Sequence, residues 1–183
     1  MKSSLLGLAA ASALLAGCAT GDSVVVQNRY QAADYNYAVV QYYNAGKPSY
    51  VEVHNNPFDN AQADDRIAAL MRGKNLGKPI LFTANRNYAG GDTKVVVVFN
   101  PPSSLTGLAA CNLDGGQAGN GNAGDHGYVL MSYCVNGQDK SSLRASAGSV
   151  NGLDDPALER LLARATYDLL PENFSKRQGS GSS

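Results

Sequence analysis

Apolar positions along this chain recur with two different periods. Between residues 61 and 72, Ala63, Ile67, Leu70 and Met71 stand at i, i+4, i+7 and i+8, the spacing of one helix face. Asp64 and Asp65 open that segment and Arg72 closes it, which complements a helix dipole, and Gly73 is placed to end it. A second helix starts at Asp155 as N-cap with Pro156 in its first turn, carries Leu158, Leu161, Leu162, Ala165 and Leu169 on one stripe, and stops near Leu170-Pro171.

Strands are predicted where the period falls to two or where β-branched residues run together. Ser49–His54 alternates, with Tyr50, Glu52 and His54 on one face and Val51 and Val53 on the other. Residues 95–99 form the most apolar run after the N-terminal segment and are expected at the centre of a sheet. Residues 128–135 and 141–147 flank Asn136-Gly137, whose residue types suit the two positive-φ positions of a type I′ hairpin. Shorter strands are expected at residues 23–27 and 80–83. Tyr37–Tyr43, rich in valine and tyrosine, reads as a strand with Ser49–His54 as its hairpin partner. With no regular alternation of strand and helix, the expected fold is α+β: a single domain over residues 24–174, a mainly antiparallel sheet with both amphipathic helices packed on one face.

Composition narrows the function classes. The chain has 183 residues, 44% hydrophobic and 16% charged, with 15 basic against 15 acidic side chains. That balance speaks against nucleic-acid binding, which needs a broad positive field. Residues 1–17 have the form of a signal sequence: Lys2 provides the positive end, and the apolar stretch 5–16 is shorter than the roughly 20 helical residues needed to span a bilayer.

Leu15-Ala16-Gly17-Cys18 resembles the lipobox of bacterial lipoproteins. The resemblance implies cleavage before Cys18 and acylation there, with residues 18–23 as the acylated N-terminus and tether, so that the membrane is a partner through the lipid on Cys18. Ala19, where aspartate is absent, implies sorting to the outer membrane with the domain facing the periplasm. The lipobox, Asn56-Pro57-Phe58, Phe99-Asn100-Pro101, Cys111 with Cys134, Asp155-Pro156 and Leu170-Pro171, in this order, are similar to a group of small proteobacterial outer-membrane lipoproteins of uncharacterised function. Such a match implies fold and location and assigns no activity.

With Cys18 acylated, Cys111 and Cys134 are left as an even pair in an exported chain, and a disulfide between them is expected. It would close over the glycine-rich segment 112–127. Within that segment Asp114, Asn120, Asn122 and Asp125 match no calcium-loop spacing, so neither a metal nor a cofactor is expected. The polar tail 175–183 is expected to be disordered.

Three function classes stay open. A hydrolase using His54 or His126, the two histidines, would have an acid close by in Glu52 and Asp125 respectively, and a paired-carboxylate glycosidase stays open because it needs no fixed spacing, yet no nucleophile elbow or zinc-binding helix motif is present. No enzymatic activity is therefore expected. A glycan- or small-ligand-binding module is the second class. Ten tyrosines and no tryptophan, with Tyr35, Tyr37, Tyr42 and Tyr43 close together, offer an aromatic contact platform for a protein or a sugar, and Tyr35 and Tyr37 are expected to be its exposed members. The favoured class is a structural, assembly or protein-interaction role in the envelope, performed on another envelope component, a protein or a glycan.

Overall fold

The structure, a computed structural model, describes residues 23–91, 93–113, 118–119 and 126–172. The lipobox, Cys18 and the tail 175–183 lie outside the described residues. The elements run β1 (Val25–Gln31), α1 (Tyr37–Tyr43), β2 (Ser49–His54), α2 (Ala63–Met71), β3 (Phe82–Thr83), β4 (Thr93–Phe99), α3 (Gly107–Cys111), β5 (Tyr128–Val135), β6 (Gln138–Ser146) and α4 (Pro156–Leu169). The six strands form one sheet in the order β1-β6-β5-β4-β2-β3, with β4 inside it as its uninterrupted apolar run predicts.

Two registers do most to organise the sheet. β5 and β6 pair antiparallel across the Asn136-Gly137 turn, whose φ angles of 51° and 73° are those a type I′ hairpin requires. β2 pairs with β4 in parallel, Val51 opposite Val95 and Val53 opposite Val97, and the chain crosses between them through α2. β2 is thus not a hairpin partner of residues 37–43. Those residues are α1, a helix, which corrects the strand expected there. Their β-branched and aromatic composition favours a strand, but the Asn36 side chain accepts the Ala38 N–H at 2.9 Å and caps a helix start. Helical spacing then turns Tyr37, Val40 and Asn44 inward, whereas strand alternation would have split them between two faces.

α2 and α4 both lie on the first face of the sheet, as expected, over Val51, Val95, Val97, Phe99, Val129, Met131 and Leu143. The α4 stripe is fully sequestered, and burying each such leucine favours the folded state by about 1.5–3 kcal/mol. Asp155 accepts the Ala157 N–H at 2.8 Å, the cap its residue type predicts. Asp168 of α4 pairs with Arg164 at 2.6 Å and with Arg29 of β1 at 2.9 Å, which ties the edge strand to the helix layer.

The second face carries what sequence periodicity did not reveal. α3 is one short helix, capped by Thr106 and too brief to show a period, packed over Val96, Val98 and Leu130. The Cys111–Cys134 disulfide, expected from the cysteine pair, fastens α3 to β5 across 23 residues of sequence. Gly107 makes the close approach possible, because a Cβ there would collide with the Asp139 carboxylate and with Ser142. α3 leaves the second face open on both sides, towards β2 on one flank and towards β1 on the other.

Candidate functional site

The period-two alternation of β2 that buries Val51 turns Tyr50, Glu52 and His54 to the second face. The parallel register with β4 sets Lys94 opposite Tyr50 and brings its ammonium to Glu52, 42 residues away in sequence. Lys94 Nζ donates to Glu52 Oε2 at 2.8 Å, and His54 Nε2 lies 2.7 Å from Glu52 Oε1. Each carboxylate oxygen therefore has its own partner. Burial pushes the Glu52 carboxyl up, but the hydrogen bonds and charges of Lys94 and His54 outweigh it and hold the group below its usual range.

This trio lines a cleft of about 790 Å³. Its walls combine charges of both signs, with Arg86 and Lys94 against Glu52 and Asp64, and Asn112 and Asn136 stand at the side nearest the disulfide. Arg86 sits over the Tyr50 ring, its guanidinium carbon 5.2 Å from the centroid. Asn112 is fixed by donating to the carbonyls of Leu108 and Gly137, at 2.8 and 2.9 Å, so the helix end and the hairpin turn form one wall. The volume is in the range of small-molecule sites, but the lining is mostly polar, which suits a hydrophilic ligand.

The residues singled out in the sequence separate into distinct places. His54 and Glu52 meet, as their shared strand face allowed. His126 is elsewhere, against the Phe58 ring with centroids 6.0 Å apart, and its Nδ1 is shielded from solvent without a hydrogen-bond partner. Asp125, its neighbour in sequence, and the possible oxygen ligands Asp114, Asn120 and Asn122 lie outside the described residues. Among the described residues no group of three or more His, Cys, Asp or Glu is placed to hold a metal ion, and no helix is long and apolar enough to cross a membrane.

The four tyrosines do not form one platform. Tyr35 is only 8% exposed, contrary to expectation; its hydroxyl donates to the Pro171 carbonyl at 3.0 Å, and burial raises its pKa. Tyr37 is half-buried, donates to the Leu76 carbonyl and receives the Gln41 amide. Both work as internal pins, Tyr37 on the inward side of α1 and Tyr35 in the segment just before its Asn36 cap. Tyr42 and Tyr43 are the exposed pair, 78% and 44%, edge to face with centroids 5.9 Å apart. Lys94 was missed in the sequence because nothing local links it to Glu52. Its position next to the central apolar run on β4 was the one available signal.

No family model matches this sequence, and no curated protein matches it. Two solved structures are similar to this chain: the PelC dodecamer from Paraburkholderia phytofirmans, with 13% sequence identity and a TM-score of 0.41, and a point-substituted form of the same dodecamer, with 13% identity and a TM-score of 0.40. Each comparison covers 82% of this chain and 100% of the other.

Proposed function

We propose that this chain is a lipid-anchored protein of the bacterial outer membrane whose single periplasmic domain works by binding, and that it holds a segment of a neutral, hydroxyl-rich glycan in the cleft over Glu52, His54 and Lys94. One observation carries the reading: a carboxylate already paired on both oxygens, in a cleft whose charges balance. A site with a single-sign field suits a charged ligand; mixed donors and acceptors suit hydroxyl groups, which both give and accept. The same pairing argues for binding over catalysis. Glu52 is committed to Lys94 and His54, and its pKa lies below the usual range, away from the raised value a general acid near neutral pH needs.

Retention of the purified protein on immobilised envelope polysaccharide tests this. Wild type is expected to be retained, and Glu52→Gln with Lys94→Met to weaken retention at least tenfold while the far-UV circular dichroism stays unchanged. Equal retention of wild type and variant would sink the glycan reading.

A second reading, an assembly role with a protein partner, is favoured by the exposed Tyr42 and Tyr43 pair. α1 joins the end of β1 to the start of β2, at the end of the sheet away from the residue where β1 begins. A tether leading to Val25 would leave that tyrosine pair facing away from the membrane. Anchoring has its own expected result: Cys18→Ser abolishes incorporation of labelled acyl chains and leaves the precursor uncleaved. Continued labelling and maturation of the variant would refute it.

A further inference from the structure

Part of the cleft wall is the open edge of β2. The Ser49 N–H donates to the Leu81 carbonyl at 2.7 Å, so the main-chain groups of Ser49 point away from β4. Successive residues of a strand turn their N–H and C=O to opposite sides. Val51 and Val53 therefore point outward with Ser49, while Tyr50, Glu52 and His54 turn their groups to β4. β3 covers this edge only alongside Ser49 and Tyr50, and Asn55, at a φ of 51°, takes the chain out of the extended form. Val53 lies between these limits, and its N–H and C=O meet no hydrogen-bond partner among the described residues.

The Val53 side chain packs against the first-face core, yet the residue also lines the cleft that Tyr50, Glu52 and His54 form on the second face. What it presents to that cleft is its half-buried main-chain edge. On an ordinary edge strand water meets such groups. Here they stand within walls, beside the Glu52 carboxylate and the Lys94 ammonium. In an extended residue the N–H and C=O lie side by side and point the same way. One donor next to one acceptor matches two hydroxyls on adjacent ring carbons, of which one accepts and the other donates. A single free residue is too little to dock a peptide strand, which usually pairs over about five or six residues.

We propose that the Val53 main chain is the second anchor of the glycan cleft and selects sugars with a free vicinal diol, its N–H donating to one hydroxyl and its C=O accepting from the neighbouring one. This rests on the glycan reading and deepens it, because it excludes chains whose linkages or substituents consume one member of each adjacent pair.

The probes are cellotetraose and laminaritetraose, isomers built from the same neutral sugar. The linkages of the first leave a vicinal pair on every unit; those of the second leave one only on the terminal units. Titrated into the purified full-length protein and followed by NMR, cellotetraose is expected to shift the amides of Glu52, Val53 and Lys94 and to bind at least tenfold more tightly than its isomer. The Val53 amide, open in the free protein, should exchange with deuterium at least tenfold more slowly at saturation, whereas the amides of Glu52 and His54, bonded to β4, are slow throughout. These readouts need no variant. Val53→Pro removes the outward N–H at an edge, where proline is tolerated, and is expected to weaken cellotetraose binding at least tenfold with the β4 and β5 amides unmoved. Equal binding of the two isomers, unchanged exchange at Val53 under saturating cellotetraose, or unchanged binding in a folded Val53→Pro would overturn the diol site and leave the glycan reading standing. So would failure of both tetraoses to bind a protein that envelope polysaccharide retains. Protection of Val53 by an extended valine-rich peptide and not by sugar would make the edge a strand-docking site instead. No binding of either tetraose together with no retention on polysaccharide would remove the glycan reading and this inference with it.

Discussion

Arg144→Met is expected to lower the unfolding free energy by about 3 kcal/mol, among the largest losses from any single substitution outside the apolar core. The side chain is 6% exposed and its hydrogen bonds run to three main-chain carbonyls and one phenol. Those carbonyls belong to the segment 102–105 that leads into the Thr106 cap of α3, so the guanidinium on β6 holds the entrance of the helix. Methionine keeps much of the packing volume and removes every donor. Hydrogen bonds from a charged group contribute about 1.5–3 kcal/mol each, offset in part by the cost of burying a charge next to neutral acceptors. At about 2–4 °C per kcal/mol for a chain of this size, the melting temperature should fall by roughly 10 °C. Chemical denaturation followed by circular dichroism reads the change, and a loss under about 1 kcal/mol would show that the carbonyls find other partners. Arg144→Lys should recover little, because one ammonium cannot span the three carbonyls and Tyr128.

Removing the staple is the other large effect. With Cys111 and Cys134 both changed to alanine, stability is expected to drop by about 3 kcal/mol, the loop-closure term for a bridge across 23 residues. Both cysteines are 1% exposed, so substitution is a cleaner test than reductant. The folded state should also lose its ordered α3, since a five-residue helix has no stability of its own. Guanidinium unfolding of wild type and double variant gives the difference, with faster amide exchange at residues 107–111 as the local readout. Equal stability would mean that α3 is held by Arg144 and the packing of Ala110 alone.

Signals that act over a few residues were readable in the sequence. The α4 cap and stripe, the Asn136-Gly137 turn and the central place of β4 each depend on neighbours within one element, and the structure keeps them. The disulfide followed from counting cysteines, which leaves Cys111 and Cys134 as an even pair once Cys18 is set aside as the acylation site the lipobox resemblance implies. α1 misled because propensity counts valine and tyrosine as strand formers, whereas the Asn36 cap and the inward turn of Val40 decided the outcome. For the site, Glu52 and His54 were legible through the two-residue period of one strand. Lys94 joins them only through the β2–β4 register, and Asp139 approaches α3 only because Gly107 lets the helix settle on β6. Neither pairing leaves a trace at short range along the chain.

The position of β1 sets how the domain would carry force. Only residues 19–24 separate Cys18 from Val25, a reach of about 20 Å when fully extended, so an acylated Cys18 would hang the whole body from the start of an edge strand. β1 runs antiparallel to β6 from Val25 opposite Ser146 to Gln31 opposite Ser141, and the exposed tyrosine pair belongs to the helix that begins after its far end. Tension between a bilayer at one end and a partner at the other would then act along β1, loading its ladder in shear and not peeling it bond by bond. The Arg29–Asp168 pair, on the strand and on the helix layer beneath it, would take part of that load.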